Sequence, residues 1–206
     1  VEQVIKNTAN SKKAFVKWVN RLDESWKLGL PGDIQKENAA VAKGVLDTLI
    51  SKGWQINREQ IKNGFSEAFW PGRFQRARFG KLILIVDGAH NPHAAKQLSK
   101  ERNLLNNSNS VNWVIGIQAQ KEAPEMLKLL IKKNDLCWLV PIPNQPSWNR
   151  NKIINKCPEL SDQILEAKSV KESLFDIEKR YSNKLVILTG SLYLIGNVLE
   201  NKIISL

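Results

Sequence analysis

Cysteine is scarce in this chain of 206 residues: Cys137 and Cys157 stand alone and far apart. That pattern excludes a disulfide framework and the paired spacing of a zinc site. No apolar run approaches the ~20 residues that a membrane-spanning helix needs. The opening Val1-Glu2-Gln3-Val4-Ile5-Lys6 lacks the basic, apolar and small-residue succession of a secretory signal. There is no internal repeat, no low-complexity tract and no paired Cys/His finger. Neither a G-x-G-x-x-G nor a G-x-x-x-x-G-K-[ST] occurs: Gly80-Lys81 is followed by Leu82, and Gln75 stands where the earlier glycine belongs. A nucleotide-phosphate cradle of the usual kind is therefore absent.

What remains is 42% hydrophobic and 25% charged, the balance of a soluble globular protein, and a cytoplasmic location is expected. The length suits one domain plus a substantial further piece. The net charge of +11 is spread among acids, with Lys12-Lys13 and Lys132-Lys133 as mere pairs. A nucleic-acid partner is not expected; a polyanionic small molecule is the more natural one for a basic pocket.

Residues 1–69 read as helical throughout. Residues 38–50 have apolar positions at helical spacing, with Gly53 as a stop; Asn57 and Gln60 form a capping box opening a second helix. Phe15, Val16, Trp18 and Val19 suggest a further short helix. Trp70-Pro71-Gly72-Arg73-Phe74 breaks the pattern as a hinge. Beyond it strands are expected near 82–86, 111–117, 136–142 and 185–189, with a weaker one at 163–167. Helices are expected near 92–105, 123–133, 170–181 and 191–200. Such alternation predicts an α/β fold, a Rossmann-like, mostly parallel sheet with helices on both faces. Residues 141–148 read as an uncharged, proline-rich surface loop, and the tryptophans as mostly core or boundary residues, Trp70 excepted.

One stretch carries the strongest signal of a site. Leu82-Ile83-Leu84-Ile85-Val86 reads as a buried parallel strand and runs into Asp87-Gly88-Ala89-His90-Asn91-Pro92. Asn91 and Pro92 suit a helix N-cap and first helical position. Asp87 and His90 thus fall between a strand's C-terminal end and a helix N-terminus, where open α/β sheets bind ligands. His93, in the first turn of that helix, is expected to face solvent. Leu185-Val186-Ile187-Leu188-Thr189-Gly190-Ser191 repeats the logic: Ser191 suits an anion at a helix start, or plain N-capping. Arg73 can reach phosphate oxygens from a rigid turn, or be an ordinary linker arginine. Gln35 and Asn38 can read a base or sugar, or cap their helix; capping is the plainer expectation.

Taken together, Gln35-x-x-Asn38-Ala39-Ala40, Trp70-Pro71-Gly72-Arg73-Phe74, Asp87-Gly88-Ala89-His90-Asn91-Pro92 and Gly190-Ser191-Leu192-Tyr193 occur in the order and spacing of one family. From about Leu28 onward the chain resembles the C-terminal half of folylpolyglutamate synthase, often bifunctional with dihydrofolate synthase, in the Mur ligase superfamily. The resemblance implies that residues 1–69 are the helical tail of a central ATPase domain and residues 70–206 a C-terminal glutamate-ligase domain. It implies ATP-dependent addition of L-glutamate to the carboxylate of a folate or dihydropteroate through an acyl phosphate. By the same resemblance Asn38, Arg73 and Asp87 contact ATP, and His90 and Ser191 place the incoming glutamate. Asp87 is better suited to ribose hydroxyls than to phosphate. The P-loop and the Mg2+ ligands are expected in an N-terminal ATPase part outside this sequence, so no catalytic residue is assigned here and the chain alone is expected not to turn over. A monomer is expected, with no membrane partner.

Where the family has an Asp-Lys-Asp loop, this chain has Gln118-Ala119-Gln120-Lys121-Glu122, which keeps the lysine and changes both acids. The order of that loop is therefore an open point. Two other readings stand beside the ligase: a non-catalytic nucleotide- or folate-binding module from a split gene, and a peptidoglycan Mur-type amino-acid ligase.

Overall fold

The computed structural model describes residues 1–105, 110–181 and 184–206. The chain forms two compact units, Val1–Phe69 and Trp70–Leu206. Among the described residues no helix is long and apolar enough to cross a membrane.

The first unit holds α1 (Glu2–Lys12), α2 (Gln35–Ser51) and α3 (Arg58–Glu67). The Asn57–Gln60 capping box is formed reciprocally, side chain to backbone in both directions. Gly53 follows α2 at φ +95°, a conformation natural to glycine just past a helix end. Two expectations fail here. No helix forms at residues 15–19: α1 lies earlier and ends at left-handed Lys13 (φ 52°), and the β-branched Val16 and Val19 run through irregular chain. Gln35 and Asn38 do not cap α2. That helix begins at Gln35, so both amides lie in its first turn, and Asn38 Nδ2 donates to Gln35 Oε1 at 3.0 Å. Trp18 and Trp54 are exposed like Trp70, because this unit has little interior to receive them.

The second unit is a six-stranded sheet in the order β1-β2-β6-β3-β4-β5. Its strands are β1 (Gln75–Phe79), β2 (Leu82–Val86), β3 (Val111–Ile115), β4 (Leu136–Leu139), β5 (Ile164–Glu166) and β6 (Leu185–Thr189). All neighbours are parallel except β1, which pairs antiparallel with β2 through the two-residue turn Gly80-Lys81. The Gly-Lys pair is thus a hairpin, with Gly80 at φ +52°. Strand β1 was not expected from the sequence. Its exposed Arg76 and Arg78 alternate with buried Ala77 and Phe79, a pattern that only an edge strand tolerates. Strands β3 and β4 are shorter than the apolar runs that announced them.

The helices are α4 (Pro92–Leu104), α5 (Ala123–Leu130), α6 (Arg150–Lys156), α7 (Val170–Tyr181) and α8 (Leu192–Glu200). Helix α6 was also unexpected; it is short and buries only Ile153. One sheet face carries α4, α5 and α6 through Leu98, Met126, Leu127 and Ile153, with Trp113 and Ile187. The other carries α7 and α8 through Leu174, Ile177, Leu194 and Val198, with Val114 and Leu188. The apolar runs of β2 and β6, and of β3 apart from buried Asn112, follow from this double cover. Burial of each such Val, Leu or Ile contributes about 1.5–3 kcal/mol.

Candidate functional site

The chain moves along the sheet from β2 to β3, β4 and β5 with α4, α5 and α6 on one face. It then returns through α7, on the other face, to insert β6 between β2 and β3. Beyond the C-terminal ends of β2 and β6 the connections therefore leave toward opposite faces, one into α4 and one into α8. This is a topological switch point, the place where such sheets open a crevice. Residues 87–91 and 189–191, about a hundred residues apart in sequence, meet there.

Backbone hydrogen bonds stitch the two loops together. Asp87 N–H donates to Leu188 O (3.0 Å), Gly190 N–H to Ala89 O (3.1 Å), and Gly116 N–H to Thr189 O (3.2 Å). Gly190 holds φ +106°, and a Cβ there would lie 2.5 Å from Gly116 O, so the close approach of the β3 and β6 ends requires glycine.

Asp87 uses both carboxylate oxygens inward. Oδ2 accepts the N–H of Phe74 and Oδ1 that of Ala89, each at 2.9 Å. Gly88 N–H donates to Gly72 O at 2.8 Å, and Gly72 N–H to Gln75 Oε1 at 3.1 Å. The turn around Arg73 is thereby fixed on both sides, with Gly72 (φ +76°) and Phe74 (φ 49°) in left-handed conformations. Arg73 itself is exposed. Burial raises the Asp87 carboxyl above the ordinary carboxylate range; the hydrogen bonds from Phe74 and Ala89 and the charge of Arg73 work against that rise.

Two helix N-termini border the crevice. Asn91 caps α4, its side chain accepting from Ala94 N–H at 2.8 Å, with Pro92 in the first turn. Ser191 caps α8, its Oγ accepting from Tyr193 N–H at 3.2 Å; the residue is buried, and its hydroxyl proton remains to be donated. His90 Nδ1 lies 2.9 Å from Gly88 O. A carbonyl can only accept, so Nδ1 carries the proton and Nε2 the lone pair of the neutral ring. His93 is exposed.

Arg73, Asp87, His90 and Ser191 thus belong to one end of one sheet. Asn38 lies on α2 in the first unit, exposed, at an apolar pocket of about 250 Å³ lined by Leu28, Leu30, Gln35, Ala39 and Phe65 among others. Gln75 was not singled out in the sequence as part of the site. A polar side chain three residues after Gly72, able to reach back to its N–H, was the available sign for Gln75.

The loop that departs from the family pattern is ordered by amide and backbone contacts. Gln118 Nε2 donates to Gln145 Oε1 (3.2 Å), Ala119 N–H to Pro146 O (2.9 Å), and Trp148 Nε1 to Lys121 O (3.0 Å). The proline-rich segment is its mate, anchored by buried Ile142 and half-buried Trp148. Among the described residues no group of three or more His, Cys, Asp or Glu could hold a metal ion.

The family model described as the C-terminal domain of dihydrofolate synthetase matches residues 73–201. A dihydrofolate synthase/folylpolyglutamate synthase of Buchnera aphidicola subsp. Baizongia pistaciae is 28% identical over 165 residues, covering 80% of this chain and 37% of that protein. Escherichia coli FolC in complex with DHPP and ADP superposes with a TM-score of 0.78 at 24% identity, covering 97% of this chain and 50% of that one. The bifunctional enzyme of Yersinia pestis, complexed with AMPPNP and a Mn ion, gives 0.73 at 23%, covering 97% and 50%. At those identities the structural likeness speaks for the fold. The chain spans about half the length, or less, of the relatives it matches.

Proposed function

The chain belongs to the dihydrofolate synthetase C-terminal domain family, and on that premise we propose that it is the C-terminal portion of an ATP-dependent ligase that joins L-glutamate to a folate or dihydropteroate carboxylate. The observation that carries this reading is the switch-point crevice, where the Asp87–His90 loop, the Ser191 helix start and the fixed Arg73 turn converge.

In the proposed reaction ATP phosphorylates the substrate carboxylate, and the amine of glutamate attacks the acyl phosphate. Phosphate leaves from the tetrahedral intermediate and an amide results. Phosphoryl transfer depends mainly on positioning and charge neutralisation. Arg73, on a turn that cannot swing freely, offers a guanidinium to nucleotide phosphates. Asp87 retains lone pairs for ribose hydroxyls beyond the two N–H groups it already accepts. Asn38 supplies an amide to the nucleotide from the first unit. The Ser191 hydroxyl and the α8 N-terminus suit a glutamate carboxylate. His90, with its Nε2 lone pair outward from the Gly88 bond, suits the glutamate ammonium group.

Residues 1–69 are read as the tail of an ATP-binding domain and residues 70–206 as the glutamate-ligase domain. The P-loop and the Mg2+ ligands are assigned to the part of the protein outside this sequence; the Mn ion belongs to the Yersinia enzyme. A cytoplasmic monomer acting on small molecules fits this reading. The relatives' names support a folate ligase over a peptidoglycan ligase. A non-catalytic nucleotide- or folate-binding module is the second reading, favoured only by the absence of a P-loop from these residues.

The test is ADP release by the protein isolated from its source cell through this chain. ADP release that needs both glutamate and a folate or dihydropteroate supports the ligase, provided the 206 residues alone release none. Tight nucleotide binding without turnover in the native protein supports the binding module.

A further inference from the structure

The hairpin that follows the Arg73 turn carries charge of one sign. Residues 68–86 hold Arg73, Arg76, Arg78 and Lys81 and no acid. Strand β1 starts at the crevice, because Gln75 stands opposite Val86 at the C-terminal end of β2, and it leads away from there. Arg76 lies opposite Ile85, which packs in the core on the α4 side, and Arg78 lies opposite Ile83. Both arginines therefore stand on that one sheet face, and both are exposed. Ile83 is 56% exposed beside them, so no helix covers this edge of the face.

The later arginines of this unit are engaged: Arg102 with Asp135, Arg180 with Asp176, and Arg150 with the carbonyls of Ser161 and Ile164. Among the described residues Arg76 and Arg78 have no ion pair and no side-chain hydrogen bond. The backbone of Arg78 is already taken, since it exchanges N–H···O bonds with Ser205 at 2.7 and 3.0 Å. What this part of the strand offers a ligand is side-chain charge, not a place for another strand.

We propose that the Arg76–Arg78 face of β1 is a track for the γ-linked glutamyl tail of a folate substrate, gripping carboxylates left by earlier rounds of addition. This rests on the ligase reading of the crevice. A product that ends in glutamate carries a carboxylate able to react again, and each round leaves one α-carboxylate behind. The tail is thus an extended polyanion that grows at the crevice, where β1 begins. The spacing matches. Arg76 and Arg78 have Cα atoms about 7 Å apart along the strand. A γ-linked repeat has five main-chain bonds against the three of an α-peptide, so it spans about 6 Å where the α-peptide spans about 3.6 Å. Exposed Ile83 gives the methylenes of the tail an apolar floor.

The experiment uses the native protein that contains this chain and folates carrying one and four γ-linked glutamates. Equilibrium dialysis gives the ratio of the two affinities, and glutamate incorporation gives the ratio of kcat/KM. In Arg76→Gln/Arg78→Gln the preference for four glutamates over one should fall by about threefold or more, the size expected of two exposed ion pairs. Each single variant should lose part of it, and Arg76→Lys/Arg78→Lys should keep most of it. The preference of the parent should shrink as salt rises. A parent without preference overturns the proposal, and so does a double variant that changes both folates equally or neither. Dialysis needs no turnover. A protein that binds both folates but ligates neither removes the ligase reading, while its affinity ratio still decides the track.

Discussion

The Asp87 carboxylate accepts the backbone N–H of Phe74 at 2.9 Å, joining the acid at the end of β2 to the turn that presents Arg73. The same carboxylate holds Ala89 N–H, so one side chain shapes both the turn and the loop leading to His90. Asp87→Ala is expected to free the turn, and Asp87→Asn to keep one of its two acceptors. In the ligase containing this chain, Asp87→Ala and Arg73→Ala should each lower ATP-dependent kcat/KM by about tenfold or more. Asp87→Asn should fall between Asp87→Ala and the parent. Unchanged kinetics in both alanine variants would refute the nucleotide roles.

The same carboxyl predicts a pH dependence of definite sign. Burial raises its pKa in the folded protein, so it protonates on acidification at a higher pH than an ordinary aspartate. Protonation removes an acceptor from the Phe74–Ala89 pair. The acid limb of kcat/KM should therefore lie above the ordinary carboxylate range and vanish in Asp87→Asn. For stability the sign is opposite. A raised folded pKa favours the native state at low pH, and that contribution is lost as pH rises through the folded value. Urea titrations of the parent and Asp87→Asn across that window check the second sign.

Gly190 and Gly196 lie six residues apart in sequence and should respond oppositely to alanine. At Gly190 a Cβ meets Gly116 O at 2.5 Å under a φ of +106°, whereas at Gly196, inside α8, it meets nothing within 4 Å. Gly190→Ala should destabilise by about 2 kcal/mol or more and open the crevice. Gly196→Ala should stabilise by about 0.5–1 kcal/mol through helix propensity alone. Thermal unfolding of the two variants separates them.

Asp135 is a buried anchor remote from the switch-point crevice. It accepts from Arg102 Nη2 (2.7 Å), Val111 N–H (2.8 Å), Trp113 Nε1 (3.0 Å) and Lys132 N–H (2.9 Å). Asp135→Ala strands a buried guanidinium and should cost about 3–5 kcal/mol. The exposed Asp162→Ala should stay within about 0.5 kcal/mol of the parent. Urea denaturation of both measures the contrast.

Both cysteines are fully buried, and burial is the main cause that pushes each thiol above its ordinary pKa. Neither should react with a disulfide reagent at pH 8 in the native protein, and both should react in denaturant. Rapid labelling of either thiol under native conditions would contradict the packing around β4 and α6.

The sequence displays those parts of the fold whose side chains are committed to the core. The apolar runs in β2 and β6 reflect a sheet covered on both faces, β3 is interrupted only by buried Asn112, and α4, α7 and α8 show their caps or periodicity directly. The missed elements bury little: α6 has only Ile153, and β1, beside buried Ala77 and Phe79, points two arginines at solvent. The apolar residues 15–19 misled for the converse reason, since Phe15 and Trp18 are exposed. Asp87, His90 and Ser191 are visible as strand-end residues. That the two strand ends are neighbours depends on the β2–β6 pairing, which no local pattern encodes. The Gln75 and Gln118–Gln145 contacts are invisible for the same reason: glutamines announce no partner until the fold supplies one.

The most direct test is glutamate incorporation by the protein purified from its source cell through this chain, followed by mass spectrometry of the folate product. ATP-dependent gain of a glutamyl residue, lost in Arg73→Ala and absent from the isolated 206 residues, is the result expected. A native protein that binds nucleotide but leaves folate, dihydropteroate and ATP unchanged, with glutamate present, would contradict the ligase account.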